Sequence, residues 1–197
     1  MSRLLVATNN AGKQEEFKRL LAELRTEIVT PADIGIDLVP DEPHDTYAEN
    51  AAAKADAFCR ASRLPTLADD AGIEVAALGW GPGVRTARYA AGSGLSGVQH
   101  LLRALEGVED RRARMVCWLA VASPDDPSRI ELFSGTMEGE VAHEPHGDAG
   151  FGFDPVFRLP EGMTNAELPP AEKDARSHRG RAIAAAMPHL RMLLAER

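Results

Sequence analysis

Cysteine is scarce in this chain of 197 residues. There are two, Cys59 and Cys117, and they form no Cys-x-x-Cys pair. Each sits in an apolar helix or strand pattern, which points to a reducing, cytoplasmic setting. Long hydrophobic runs are missing as well. The apolar stretch after Arg3 ends at Ala7, too short for a signal peptide, and no segment approaches the length of a membrane span. Basic charge is in deficit: the net charge is −8. That argues against a nucleic-acid polymer as partner, because such proteins carry basic patches. It leaves room for a small phosphorylated ligand, which needs only a local cluster of Lys and Arg. Internal repeats and low-complexity linkers are absent. With 44% hydrophobic and 26% charged residues, the composition is that of a soluble globular protein. The length suffices for one well-cored domain or two closely joined lobes.

What is present is more informative. Asp69 and Asp70 interrupt an apolar run, Pro65-Thr66-Leu67-Ala68-Asp69-Asp70-Ala71-Gly72-Ile73-Glu74-Val75. Two adjacent carboxylates at the end of a hydrophobic strand repel each other and are costly to bury. A bound Mg²⁺ would remove both costs, since it takes one or two carboxylates together with substrate phosphates. A surface turn is the alternative, because Asp-Asp-x-Gly is common turn chemistry. The amino terminus has a second pattern. Leu4 to Ala7 reads as a buried strand, Thr8-Asn9-Asn10 as a polar loop, and Ala11-Gly12-Lys13 as a helix start. Phe17, Leu20, Leu21 and Leu24 then recur at helical spacing. Free backbone N–H groups and a lysine aimed at one point make an anion site in outline. A capped strand-to-helix junction with a solvated lysine fits equally well. A Walker A loop is excluded, because its first glycine and the Ser/Thr after the lysine are missing.

The chain between and beyond these segments alternates. Glu27 to Thr30 reads as a strand and Pro31 to Asp45 as an acidic loop holding Asp41, Glu42 and His44. Thr46, with Glu49 three residues on, opens an alanine-rich helix through a capping box, and Asn50 and Lys54 share one face of it. Val84 to Ala91 reads as helical. Ser96 caps another helix that buries Val98, Leu101, Leu102 and Leu105. Met115 to Ala122 is apolar on both faces and reads as a central strand. Pro124 to Pro127 is a turn, and Ile130 to Val141 is one strand or two. The sum is an α/β domain over residues 1–197 with a long mixed sheet flanked by helices.

The last third holds dense polar chemistry. Gly150-Phe151-Gly152-Phe153-Asp154-Pro155 sets glycines between aromatics. Such a loop lets a flat ring approach the backbone and stack on Phe; it also suits a turn that packs two phenylalanines into the core. Ser177-His178-Arg179 opens a final helix that buries Ile183, Met187, Leu190 and Leu194 and contains Pro188. Donors at a positive helix terminus favour ligand binding over a structural start, where Asp or Glu is more usual.

The ordered set of blocks at 8–13, 49–55, 68–75, 81–90, 150–157, 166–168 and 172–182 resembles the inosine triphosphate pyrophosphatase family, enzymes that remove non-standard purine nucleoside triphosphates. The resemblance runs from residue 4 to about residue 190. It implies hydrolysis of ITP, dITP and XTP between the α and β phosphates, with a homodimeric α/β fold of two lobes and the nucleotide in the cleft between them. By resemblance, Thr8, Asn9, Asn10, Ala11, Gly12 and Lys13 form the phosphate loop. Asp70 is the catalytic carboxylate and, with Glu42, a Mg²⁺ ligand; Lys54 lies near the phosphates. Phe151, Gly152, Phe153 and Asp154 form one half of the base-recognition segment, and Lys173, His178 and Arg179 the other. The chain departs from the pattern twice. Ala71, also expected beside the substrate, stands where Ser is common, and Phe153 where Tyr is usual. In this reading Lys13 and Lys54 balance phosphate charge, Asp70 or Asp69 accepts a proton from water, and donors near His178 and Arg179 reward a 6-oxo group.

Overall fold

The computed structural model describes residues 2–195. The elements run β1 (Arg3–Val6), α1 (Ala11–Leu20), β2 (Glu27–Val29), α2 (Tyr47–Ser62), β3 (Thr66–Val75), β4 (Gly81–Pro82), α3 (Gly97–Ala104), β5 (Arg112–Ser123), β6 (Asp126–Val141), β7 (Phe157–Arg158), α4 (Pro170–Arg176) and α5 (His178–Ala195). The sheet order is β2-β1-β3-β5-β6-β7, with β4 paired to β3. β1 lies parallel to both β2 and β3, whereas β4 on β3 and β7 on β6 are antiparallel. The expected mixed α/β sheet is therefore the observed one, and β5, the strand apolar on both faces, sits inside it between β3 and β6.

The chain divides into two compact units. The first gathers the chain up to Asp70, Cys117–Gly135 and the chain from Arg179. Its core sets Ala51, Ala55 and Phe58 of α2 against Leu5, Ala7, Ala68, Ala120 and Ala122 of the sheet. Alanine on both sides lets the helix lie close to the strands. Short distances across that contact are what allow Asn50 and Lys54, on the same helix, to reach β3. The second unit gathers Ala71–Val116 and Thr136–His178. Its core joins Ile73, Leu101, Leu105, Met115, Met137, Val156 and Phe157.

Three expectations are corrected. Asp69 and Asp70 do not end a strand; β3 continues through them to Val75. The extension has partners: Glu74 and Val75 pair with Pro82 and Gly81 of β4, and Ile73 N donates to Thr86 Oγ1 at 3.0 Å. Val84 to Ala91 is not an α-helix but a 3₁₀ segment at Gly83–Arg88. There Thr86 Oγ1 donates to the Gly83 carbonyl at 2.6 Å, a local side-chain bond of the kind that competes with helix. A short helix, α4, also precedes α5 where none was expected.

The caps form where the sequence places them, although at Thr46 the capping box is incomplete, since the Glu49 carboxylate accepts from the Thr46 hydroxyl and not from its backbone N–H. Asn10 Oδ1 accepts from Lys13 N at 3.0 Å and starts α1. Thr46 Oγ1 accepts from Glu49 N and donates to Glu49 Oε2 at 2.6 Å, which starts α2. Thr46→Ala removes that cap and is expected to lower stability by about 1 kcal/mol. Urea denaturation of both proteins measures it; an unchanged midpoint contradicts the role assigned to Thr46.

Candidate active site

In the first unit, the loop after β1 is tied into place at its base. Ala7 N donates to the Leu67 carbonyl at 2.8 Å, and Gln14 Nε2 donates to the Thr8 carbonyl at 2.8 Å. Thr8 Oγ1 accepts from Asn10 N at 3.2 Å. The first turn of α1 carries no acidic residue, and Asn9, Asn10 and Ala11 are exposed. The positive end of a helix thus faces outward with no carboxylate of its own to neutralise it, as an anion site requires.

The two adjacent aspartates of β3 meet different surroundings, because neighbouring side chains of a strand point to opposite faces. Asp69 is surrounded by cations. Its Oδ2 accepts from Lys13 Nζ at 3.0 Å and from Arg179 Nη2 at 3.1 Å. Burial alone pushes its carboxyl pKa up, yet Lys13, Arg179 and Lys54 together hold it below the ordinary carboxylate value. Arg179 is itself 2% exposed. Its other amino group, Nη1, pairs with Glu16 of α1, and its guanidinium carbon lies 5.5 Å from the centroid of the Phe17 ring. A chain of charges therefore leaves α1 at Lys13, passes through Asp69 and Arg179, and returns to α1 at Glu16.

Asp70 has the opposite environment. Its Oδ2 accepts from Asn50 Nδ2 at 3.1 Å. Burial raises its pKa, the Asn50 bond lowers it, and the nearby Glu42 carboxylate raises it further. The net direction is upward, so Asp70 holds a proton more firmly than an ordinary carboxylate. Asn50 also exchanges bonds with the backbone of His44, accepting from His44 N at 3.0 Å and donating to its carbonyl at 3.2 Å. One side chain of α2 thus fixes both Asp70 and the loop that carries Glu42. Lys54, one turn further along α2, ion-pairs with Glu42 and donates to the Asp69 carbonyl at 3.1 Å. Burial lowers the Lys54 pKa, but Asp69, Glu42 and Asp70 outweigh it, and the ammonium is stabilised. A buried carboxylate of raised proton affinity, a second carboxylate and two ammonium groups are assembled in one unit. That is the composition that hydrolysis of a phosphoanhydride needs.

In the second unit, Asp154 organises the aromatic loop. Its Oδ2 accepts from Phe151 N at 2.8 Å and from Lys173 Nζ at 2.6 Å, and its Oδ1 accepts from Asn165 Nδ2 at 3.3 Å. Gly150 has φ +76°, and a Cβ there would lie 2.2 Å from Asp154 Oδ2. Glycine is required at that position twice over, by backbone conformation and by the approach of the carboxylate. Lys173 Nζ stands 5.2 Å from the centroid of the half-buried Phe151 ring. Phe153 packs on the core of this unit, while Gly152 between them is exposed. Of the two phenylalanines, Phe153 serves the core, as the turn reading expects, and Phe151 stays near the surface beside a lysine.

A family model, the Ham1 family, matches residues 4–189 of the chain. The chain belongs to the Ham1 family. It is 48% identical over 186 residues to a dITP/XTP pyrophosphatase of Paracidovorax citrulli, spanning 91% of this chain and 92% of the relative. It is 47% identical over 199 residues to a dITP/XTP pyrophosphatase of Ralstonia nicotianae, spanning 98% of each. The solved structure of a HAM1 protein from Coxiella burnetii superposes with a TM-score of 0.83 at 36% identity, covering 100% of both chains.

Against this Ham1 frame the expected residues fall into two groups. Thr8 to Lys13, Glu42, Lys54 and Asp70 lie in the first unit, and Ala71, Phe151 to Asp154 and Lys173 in the second. His178 is the last residue of the second unit and Arg179 opens the last segment of the first. Arg179, expected beside the base, is placed with Glu16 and Asp69. Three residues of consequence were missed. Glu16 was readable in principle, as a carboxylate next to Phe17 on the apolar stripe of α1. Asn50 was noticed only for sharing a face with Lys54. Asn165 had no sequence signal, since its bond to Asp154 depends on the turn that precedes α4.

Glu16 and Arg179 are 3% and 2% exposed, so breaking their pair leaves buried charge behind. Glu16→Ala is expected to cost about 3 kcal/mol, whereas Lys18→Ala, which breaks the exposed pair with Glu15, costs at most about 0.5 kcal/mol. Chemical denaturation of the two variants checks this; equal costs contradict it.

Proposed function

We infer that this chain hydrolyses non-standard purine nucleoside triphosphates, dITP, XTP and ITP among them, to the nucleoside monophosphate and pyrophosphate, and so removes them from the nucleotide pool. The reading is supported by family membership and by the names of the close relatives. The observation that carries the chemistry is a geometric one: Asp70 is buried and fixed by Asn50 at 3.1 Å, on a strand that Lys13 and Lys54 both reach, with Glu42 paired to Lys54.

Within Thr8 to Lys13, the backbone N–H groups of Asn9, Ala11 and Gly12, together with the ammonium groups of Lys13 and Lys54, bind and neutralise the triphosphate. Asp70 accepts the proton of the attacking water, a task suited to a buried carboxylate held in one orientation by Asn50. Asp69 takes no proton; it anchors Lys13 and Arg179. Mg²⁺ fits the Glu42 and Asp70 pair, because two carboxylates that disfavour each other's charge gain from a shared cation. Among the described residues no group of three or more His, Cys, Asp and Glu gathers to hold a metal. Two protein carboxylates, with phosphates and water completing the set, suit Mg²⁺ better than a metal held wholly by protein. When bound, the ion supplies charge neutralisation at the phosphates and acidifies a water.

The base is assigned to Phe151 for stacking and to Lys173 with the backbone of Gly152 to Asp154 for recognition, His178 contributing a donor at the start of α5, while Arg179 is held by Glu16 and Asp69. A 6-oxo group satisfies such donors and a 6-amino group leaves them unpaired, which is the stronger source of discrimination. We further propose a cytoplasmic homodimer with no membrane or nucleic-acid partner. Buried Cys59 and Cys117, neither of them in a disulfide, support a reducing compartment. Among the described residues no helix is long and apolar enough to cross a membrane.

The test is product analysis on dITP, ITP, XTP, GTP and ATP, with and without Mg²⁺. Pyrophosphate is expected from the first three, dependent on Mg²⁺, with ATP a poor substrate. Release of inorganic phosphate, or equal turnover of ATP, contradicts the reading. Lys13→Ala is expected to raise KM for every triphosphate and to leave the ITP-to-GTP preference in place, since a lysine at a helix start senses charge and not base identity. A large change in that preference, read from kcat/KM for the two substrates, overturns the assignment of Lys13 to phosphate.

A further inference from the structure

Gly97 is the first residue of α3, outside every block that carries the family resemblance. Its φ lies outside the left-handed region, so the backbone conformation there does not call for glycine. Helix formation does not call for it either, since glycine at a helical position loses more chain entropy than alanine. The cap of this helix is complete without it: Ser96 Oγ accepts from Gln99 N at 3.2 Å, and Gln99 Oε1 accepts from Ser96 N at 2.9 Å. What the position does demand is space. A Cβ on Gly97 would lie 3.0 Å from Cζ of Phe153, with Cε1 at 3.6 Å and Cε2 at 3.7 Å. The tip of the Phe153 ring rests on the bare Cα of the helix start.

Phe153 lies in the segment that holds the proposed base-binding groups. Two residues before it stands Phe151, and the next residue is Asp154, which ties Phe151 N and Lys173 together. The ring cannot retreat freely. Phe153 packs against the cluster that contains Leu101 of α3 and Leu105 just after it, together with Val156 and Phe157 from beyond the loop. Helix and loop are thereby two walls of one core, and close-packed cores transmit small displacements instead of absorbing them.

We propose that Gly97 is a positioning residue for nucleotide binding: its missing side chain sets the depth at which Phe153 seats, and through Phe153 it sets the placement of Phe151 and Asp154. This inference rests on the base assignment made above. It goes beyond that assignment by naming a determinant on a helix that contributes no group to the substrate. It also bears on the departure at 153, because the ring atom that would carry a tyrosine hydroxyl is the one that meets Gly97.

The test uses four full-length proteins: wild type, Gly97→Ala, Phe153→Leu and the double variant. Each is assayed for kcat and KM with dITP, and each is melted. Alanine forces the ring to move by a few tenths of an ångström. Gly97→Ala is expected to raise KM by about three- to tenfold with little change in kcat, since the reacting phosphates are not involved. Its melting temperature is expected to change little, the crowding of the ring opposing the better helix propensity of alanine. In the Phe153→Leu background the same substitution is expected to leave KM unchanged, there being no ring tip to displace. A raised KM that persists in the Phe153→Leu background overturns the proposal, as does an unchanged KM in the wild-type background. A fall in melting temperature with KM unaltered shows a purely structural role and also overturns it. If the wild type fails to hydrolyse dITP, the functional reading itself falls and this inference falls with it. That outcome is read from the wild type alone and is distinct from the others.

Discussion

The geometry of a β-strand separates two carboxylates that the sequence places side by side. Asp69 and Asp70 are 1% and 6% exposed, and buried like charges on one face would raise each other's pKa until one carried a proton. Alternation along β3 sends them to opposite faces instead. One meets Lys13 and Arg179; the other meets Asn50 and Glu42. The chemistry proposed for the first unit depends on that division. One carboxylate is committed to holding cations and the other is left able to accept a proton. For folding, the signs are opposite. Asp69, its pKa depressed, stabilises the native state above the ordinary carboxylate pKa, and this is lost as pH falls. Asp70, its pKa raised, favours the native state while protonated, and this is lost as pH rises through its raised value.

The same device recurs in the second unit, where Asp154 gathers Phe151 N, Lys173 and Asn165. In each unit a buried carboxylate serves as the fixed point from which a lysine is aimed. A buried ion pair contributes little net stability by itself, because desolvation offsets attraction. Its value lies in specifying position: Lys13 and Lys173 each have one low-energy placement instead of the many rotamers of an exposed lysine. Preorganised charge of this kind is what phosphate transfer and base selection require.

Much of this was legible in the chain. The αβ junction at Asn10, the caps at Thr46 and Ser96, and the interior strand from Met115 to Ala122 follow from local patterns, and the structure reproduces them. The blocks from Thr8 to Ala182 pointed to a family, and the match over residues 4–189 bears this out. What local patterns did not show has a common cause. The continuation of β3 past its aspartates depends on β4 and Thr86, which lie beyond a loop. The partners of Arg179 depend on Glu16, which is 163 residues away. Bonds set by tertiary contact leave no periodicity to read. The helical segment expected from Val84 forms as a 3₁₀ turn that ends at Arg88, with the Thr86 hydroxyl bonded to the Gly83 carbonyl.

The central claim is the division of labour between the two aspartates, and comparing Asp69→Asn with Asp70→Asn tests it most directly. The measurement is the kcat for dITP with Mg²⁺ present and, separately, the unfolding free energy in metal-free buffer, both at neutral pH. Asp70→Asn is expected to lower kcat by about 10²–10⁴-fold while stability holds or rises. Asp69→Asn is expected to lose stability by about 3 kcal/mol, leaving Lys13 and Arg179 without their shared carboxylate. If Asp70→Asn retains near wild-type turnover, or if Asp69→Asn is as stable as the wild type, the two residues do not divide the work as described.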